Sequence, residues 1–153
     1  MKTINILFLL TALLAGQVIT AQQAQPYYFG KTVEGSFEDV TAKVKQELKN
    51  QGFGVITEID MDAKLKEKSD DVTLPPYKIL GVCNPGFAWK TIQAEENIGL
   101  FLPCKVLVKD VGDGKTEVVM VDPSVLMRML GNEKLYDVAA KVTEKFKAAL
   151  DKI

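Results

Sequence analysis

Apolar residues recur at three- and four-residue spacing near the end of the chain: Leu135, Val138, Val142, Phe146, Leu150 and Ile153. That is one stripe of a helix with 3.6 residues per turn. Phe37, Val40, Val44 and Leu48 repeat the pattern near the beginning. Ser36 precedes them as a helix cap, Asp39 takes the place of the usual capping-box Glu, and Gly52 follows as a terminator. Between these stripes the pattern shortens. Aromatic and β-branched runs at 27–33, 53–60 and 77–82 predict strands, the third delivered in extended form by Pro75-Pro76. The polar stretch 61–71 reads as a short exposed helix and a loop.

Asn84 before Pro85 is a helix start, predicting a helix to about residue 96. The run 98–102 reads as a buried strand, continuing past Pro103 through 104–108. Asp113-Gly114 is a hairpin turn signal returning the chain along 116–121. Asp122-Pro123 starts a short helix that Gly131 ends. The resulting fold class is α+β: a two-layer sandwich, helices packed on one mostly antiparallel five-stranded sheet. The helix between 77–82 and 98–102 favours a local parallel crossover.

Residues 1–21 have the parts of a secretory leader: Lys2, an apolar run over 4–15, and Ile19-Thr20-Ala21 before the expected cut. The run is short for a membrane span of ~20 residues. Gln17 stands where a lipoprotein signal needs cysteine. The predicted layout is a signal peptide at 1–21, a linker at 22–26 and one domain at 27–153. This predicts an exported protein, periplasmic or secreted, with no stable membrane anchor after cleavage.

The 153 residues suffice for one core, and net charge −1 gives nucleic acid no electrostatic footprint. Histidine is absent, which excludes Ser-His-Asp and Cys-His catalysis, HExxH zinc sites and His-ligated haem within one chain. No cofactor motif is present. The remaining candidates are the two cysteines. Cys83 directly precedes the Asn84 helix start, where free amides and the helix dipole are expected to lower a thiol pKa. Cys83 and Cys104 have three open roles: a disulfide worth ~3 kcal/mol, two separate buried thiols, or functional thiols. A parallel crossover would bring Cys104 near Cys83, and an antiparallel pairing with a strand beginning at Ile98 would keep it away.

A soft metal such as Cu(I) could take both thiolates, with Met120, Met127 or Met129 as thioether help. Core packing is the expected task of Met127 and Met129. Glu58, Asp60 and Asp62 alternate, so on a continuing strand they would share one face. That spacing would suit a paired-acid site for carboxylate-driven hydrolysis, and a solvated sheet face is the plainer explanation. Phe87 and Trp89, two apart on a helix, cannot point the same way. Phe87 or Trp89 is expected on the sheet and the other more exposed, at a ligand groove, an interface or partly under a loop.

Several blocks, in order and at fitting distances, resemble the domain-of-unknown-function 302 family. They are Val33-Glu34-Gly35-Ser36-Phe37, Gln51-Gly52-Phe53-Gly54-Val55, the stretch 76–85 around Cys83, and the stretch 98–104 ending in Cys104. The resemblance covers roughly 30–150. It implies a TATA-binding-protein-like two-layer domain, often a homodimer, marks Cys83 and Cys104 as family positions, and implies no activity. The expected function is an exported binding or interaction domain without identifiable catalysis, taking an unknown small ligand and no nucleic acid. The alternative is a thiol-based redox or soft-metal protein using Cys83 and Cys104. Intact mass of the protein recovered from its native compartment is expected to match a chain beginning at Gln22, and a mass that retains Met1 would overturn the leader reading.

Overall fold

The computed structural model describes residues 25–153, so the leader expected at 1–21 and Gln22 to Ala24 of the linker lie outside the described residues. The chain runs β1 (Tyr28–Glu34), α1 (Phe37–Asn50), β2 (Gly54–Asp60), α2 (Met61–Lys66) and β3 (Tyr77–Cys83). It continues through α3 (Pro85–Ala94), a 3-10 segment (Glu96–Phe101), β4 (Cys104–Gly112), β5 (Lys115–Val121) and α4 (Pro123–Met129). A second 3-10 turn (Glu133–Leu135) leads into α5 (Tyr136–Leu150).

The caps act where the side chains suggested. Ser36 Oγ accepts from the Asp39 amide at 3.1 Å and donates to the Asp39 carboxylate at 2.7 Å. Both contacts hold the first turn of α1, whose acidic side chains also suit the positive end of the helix dipole. The β4–β5 hairpin turns through Asp113 (φ 53°) and Gly114 (φ 68°), the two left-handed positions of a type I′ turn.

The five strands lie in the order β1-β5-β4-β3-β2. All four neighbouring pairs are antiparallel. The β2–β3 register shifts between Val55 and Thr57, leaving a bulge at exposed Ile56. α1 and α5 cover one face, where Val44, Leu48, Phe146 and Leu150 close on Leu80, Val82, Val106, Val108, Val118 and Met120. At ~25 cal/mol per Å² this burial is the main stabilising term. The other face presents Ile59, Ile79, Leu107 and Val119 in register across four strands. Lys109 and Glu117 pair on the same face at 2.6 Å.

Residues 98–102 do not form a strand. They belong to a 3-10 segment and its exit, with Ile98 buried and Leu100 87% exposed. An apolar run this short has no period that separates a strand from a helical turn, and the Glu95 carboxylate favours the turn by accepting from the Asn97 amide at 3.4 Å. The chain re-enters the sheet only at Cys104, antiparallel to β3. The expected parallel crossover is therefore absent, and so is its premise of a strand starting at Ile98.

The strand ends at Cys83, Cys104, Val121 and Tyr28 share one end of the sheet. Beyond it lies a helical annex built from α3, the 3-10 segment, α4 and the start of α5. The annex has its own core of Ile98, Met127, Leu135 and Ala139. Asp122 Oδ1 accepts from the Ser124 amide at 2.9 Å and from Thr143 Oγ1 at 2.8 Å, tying α4 to α5 where annex and sheet meet. Met127 is buried in the annex, but Met129 is 77% exposed, contrary to the core role expected for both. Two residues apart on a helix, they project about 200° from each other, and the short α4 has only one packed side.

Asn84 fixes the annex to the sheet. Its Oδ1 accepts from the Phe87 amide at 3.1 Å and its Nδ2 donates to the Gly52 carbonyl at 2.8 Å, so one side chain caps α3 and holds the α1–β2 turn. Asn84→Ala is expected to cost about 2 kcal/mol, the sum of a lost cap and a lost hydrogen bond. In thermal unfolding this is a Tm lower by roughly 5–10 °C. Asn84→Asp keeps the cap and is expected to lose about half as much.

Candidate functional site

β3 runs Tyr77-Lys78-Ile79-Leu80-Gly81-Val82-Cys83 and ends where Asn84 turns the chain into α3. Gly81 sets the position of the returning strand. A Cβ there would stand 2.6 Å from Pro103 Cγ and 3.2 Å from Thr57 Cβ, so the proline ring lies directly on the glycine. With Pro103 seated, the next residue falls opposite Val82, and Cys104 becomes a cross-strand neighbour of the residue preceding Cys83. An antiparallel return therefore does bring the two cysteines together, because β4 starts at Cys104 rather than six residues earlier.

Between the sheet end and the annex lies an apolar cavity of about 280 Å³. Its floor is Val82, Cys83, Cys104 and Val121, with Phe53 beside them. α3 contributes Phe87, Ala88 and Thr91, and α5 contributes Val138, Ala139 and Val142. Leu126 and Met127 of α4 and Leu100 and Phe101 of the 3-10 segment complete the wall. The polar groups on it are Asn84, Thr91 and Lys105, together with the two thiols. Phe87 turns inward, its ring 6.3 Å from that of Phe53, which in turn packs at a steep tilt 4.9 Å from Phe146. Trp89, on the same helix, is 61% exposed and lies outside the cavity lining, not under a loop.

Both thiols are free and half-buried. Burial pushes the Cys104 thiol up to about 11; a charge on Cys83 would raise it further, and Lys105 pulls weakly the other way. Burial also raises the Cys83 pKa. This reverses the expectation of an activated thiol at a helix start. The Asn84 side chain takes the Phe87 amide for itself, and desolvation disfavours the thiolate. Both cysteines are protonated at neutral pH. A raised thiol pKa also means that the unfolded chain releases its protons first as pH rises. The associated stability is full below about pH 8.5 and is lost toward pH 11.

The alternating acids do not assemble a site. Glu58 bonds Lys45 at 2.7 Å, Asp60 pairs with Lys78, and Asp62 accepts from the Tyr77 amide at 3.2 Å from its place in α2. Among the described residues no group of three or more Cys, Asp or Glu side chains could hold a metal ion. The cavity was not readable from the sequence, since its walls come from five separate segments. The one hint was an excess of apolar residues, Phe87, Leu100 and Phe101, over what two helical turns can bury.

The model of the family described as domain of unknown function DUF302 matches residues 29–153. A crystal structure of an uncharacterised conserved DUF302 protein from Bacillus stearothermophilus is 30% identical, with a TM-score of 0.77. The alignment covers 84% of this chain and 98% of that one. No curated protein matches.

The thiol chemistry gives a measurable rate law. Iodoacetamide labelling of Cys104, followed by peptide mass, is expected to quicken about tenfold per pH unit between pH 8 and 10. At pH 8 it should run at least about 100-fold below a free thiol. A plateau by pH 8 would contradict the burial argument.

Proposed function

The chain belongs to the DUF302 family, a domain of unknown function, and on that footing we propose that it is a small-molecule-binding domain, exported from the cell, that holds an apolar ligand in the cavity between sheet end and annex. The observation that carries this reading is the lining: five segments converge on a space of about 280 Å³ walled almost wholly by carbon and sulfur. That volume lies just below the ~300–1,000 Å³ typical of ligand sites, so it suits one or two rings or a short alkyl chain. The polar side chains at the margin already bond within the chain, Thr91 to the Ala88 carbonyl, Asn84 to the Gly52 carbonyl and Lys105 to the Pro103 carbonyl, so the lining favours a ligand of low polarity. Protonated thiols suit this role, since a neutral cysteine behaves as a small apolar residue.

Sulfur supports a second reading. Cys83, Cys104 and Met127 line the same cavity, and a soft monovalent cation such as Cu(I) takes thiolate and thioether ligands. Binding would have to displace both protons, so uptake would strengthen as pH rises.

One titration separates the two. The neutral fluorophore N-phenyl-1-naphthylamine is expected to bind the wild-type domain with micromolar affinity. Binding should weaken at least tenfold in Ala88→Leu, which fills the cavity from half-exposed α3 with little change in Tm. Cys83→Ser and Cys104→Ser are expected to change it less than threefold. Failure of the wild type to bind this and similar one- or two-ring probes would refute the apolar-ligand reading. Stoichiometric Cu(I) uptake lost in either serine variant would support the second.

A further inference from the structure

Leu100 and Phe101 differ from the rest of the cavity wall. Of the described residues that line it, only these two and Lys105 are exposed, Leu100 at 87% and Phe101 at 41%. All the others are buried or half-buried. A side chain that faces both a cavity and solvent stands at the mouth, so the opening lies at the end of the 3-10 segment, next to the start of β4. Lys105 is no obstacle there, because its ammonium folds back to the Pro103 carbonyl at 2.6 Å.

The chain at the mouth hangs between two fixed points. Ile98 is enclosed in the annex core, and Pro103 rests on Gly81. Gly99, Leu100, Phe101 and Leu102 run between them, the first three exposed and the last half-buried. The bonds that hold this stretch are long. The Leu102 amide donates to the Gly99 carbonyl at 3.2 Å, and the Ile98 amide donates to the Glu95 carbonyl at 3.1 Å. Behind them Asn132 Nδ2 donates to the Ala94 carbonyl at 3.4 Å and to Glu95 Oε2 at 3.3 Å. Each exceeds the mode of about 2.9–3.0 Å for N–H···O bonds. A segment with long, exposed bonds and little enclosed surface opens ahead of the body that carries it. Packing does not require glycine at 99, since a Cβ there would meet nothing within 4 Å. What glycine gives this position is a backbone that rearranges readily.

We propose that Gly99–Leu102 is the gate of the cavity, a strap that lifts between Ile98 and Pro103 to admit and release a ligand and then lays Leu100 and Phe101 back across the mouth. The nature of the ligand rests on the reading above. The gate does not, because Cys104 on the cavity floor reports the entry of any small reagent.

The test uses the chain from Gln22 onward. Both core clusters lie within residues 25–153, and the match to 98% of a separately solved chain indicates that this part folds alone. In a Cys83→Ser background Cys104 is the single thiol. It is labelled at pH 8 with N-methylmaleimide or with N-(1-pyrenyl)maleimide, each rate being taken relative to free cysteine. Both reagents add to the same thiolate, so the ratio of the two rates reads the mouth and is independent of the thiol pKa. A space of about 280 Å³ cannot enclose the four-ring reagent, whose rings must lie in the mouth. With the strap intact the small reagent is expected to be favoured at least about tenfold, and in Leu100→Ala/Phe101→Ala less than about threefold. Gly99→Ala favours the helical form of the strap by a factor of about five. It is expected to slow N-methylmaleimide labelling, and both association and release of N-phenyl-1-naphthylamine, by about that factor, with affinity unchanged within about twofold. A plain wall residue would change affinity instead. Leu65→Ala, outside the lining, is expected to change neither rate.

The two readings fail separately. Labelling that follows this pattern in a wild type that takes up no N-phenyl-1-naphthylamine would refute the apolar ligand and support the gate. Labelling ratios and rates that are the same in wild type, Leu100→Ala/Phe101→Ala and Gly99→Ala would overturn the gate, whatever the fluorophore does. So would a Gly99→Ala protein that shifts fluorophore affinity while Cys104 labels at the wild-type rate.

Discussion

Pro103 rests on Gly81 so closely that no side chain could stand between them, and this contact determines where the fourth strand begins. The residue after it must fall opposite Val82. From there β4 runs antiparallel to β3, and the register carries through to β5 and β1. The intervening segment, α3 and its 3-10 extension, is left beyond the sheet end. It buries Ile98 against α4, α5 and the turn before α5, and returns Phe87 to Phe53 at the margin of the sheet core. Annex, cavity and the approach of the two cysteines all follow from one close packing contact between a ring and a backbone.

The two cores differ in kind. Under α1 and α5 the side chains are almost wholly enclosed, and close-packed interiors of this sort respond to the loss of a single methylene. The annex core is small, and many of its apolar residues have only one covered side. A segment with few enclosed contacts opens more readily than the body it is attached to. The side of the cavity that can give way is therefore the annex, while the sheet holds the thiols in place.

The readable part of this fold was the part governed by local rules. Ser36, Asn84, Asp113-Gly114 and the stripe from Leu135 to Ile153 each act through neighbours a few residues away, and each stands where its chemistry put it. The run 98–102 misled because it is apolar for two reasons at once: Ile98 belongs to a core, whereas Leu100 is at the surface. Met129 misled similarly, since nothing local tells which side of a short helix is packed. The thiol environment was misjudged because a helix start attracts anions only while its amides are free, and Asn84 had already taken one. The cavity depended on distant segments meeting, which no spacing rule encodes.

The ends of the strand order deserve comparison. β2 is one edge, and its bulge at Val55/Thr57 breaks the regular repeat of backbone donors and acceptors. β1 is the other, paired without interruption along all seven residues to β5, with its outer hydrogen-bonding side open among the described residues. A bulged, acid-bearing edge is a poor template for another strand, while a regular one is a good template. Growth of this sheet is therefore one-sided: two molecules meeting through β1 would consume both competent edges at once. Such a sheet can close as a pair but has no route to a continuing fibre.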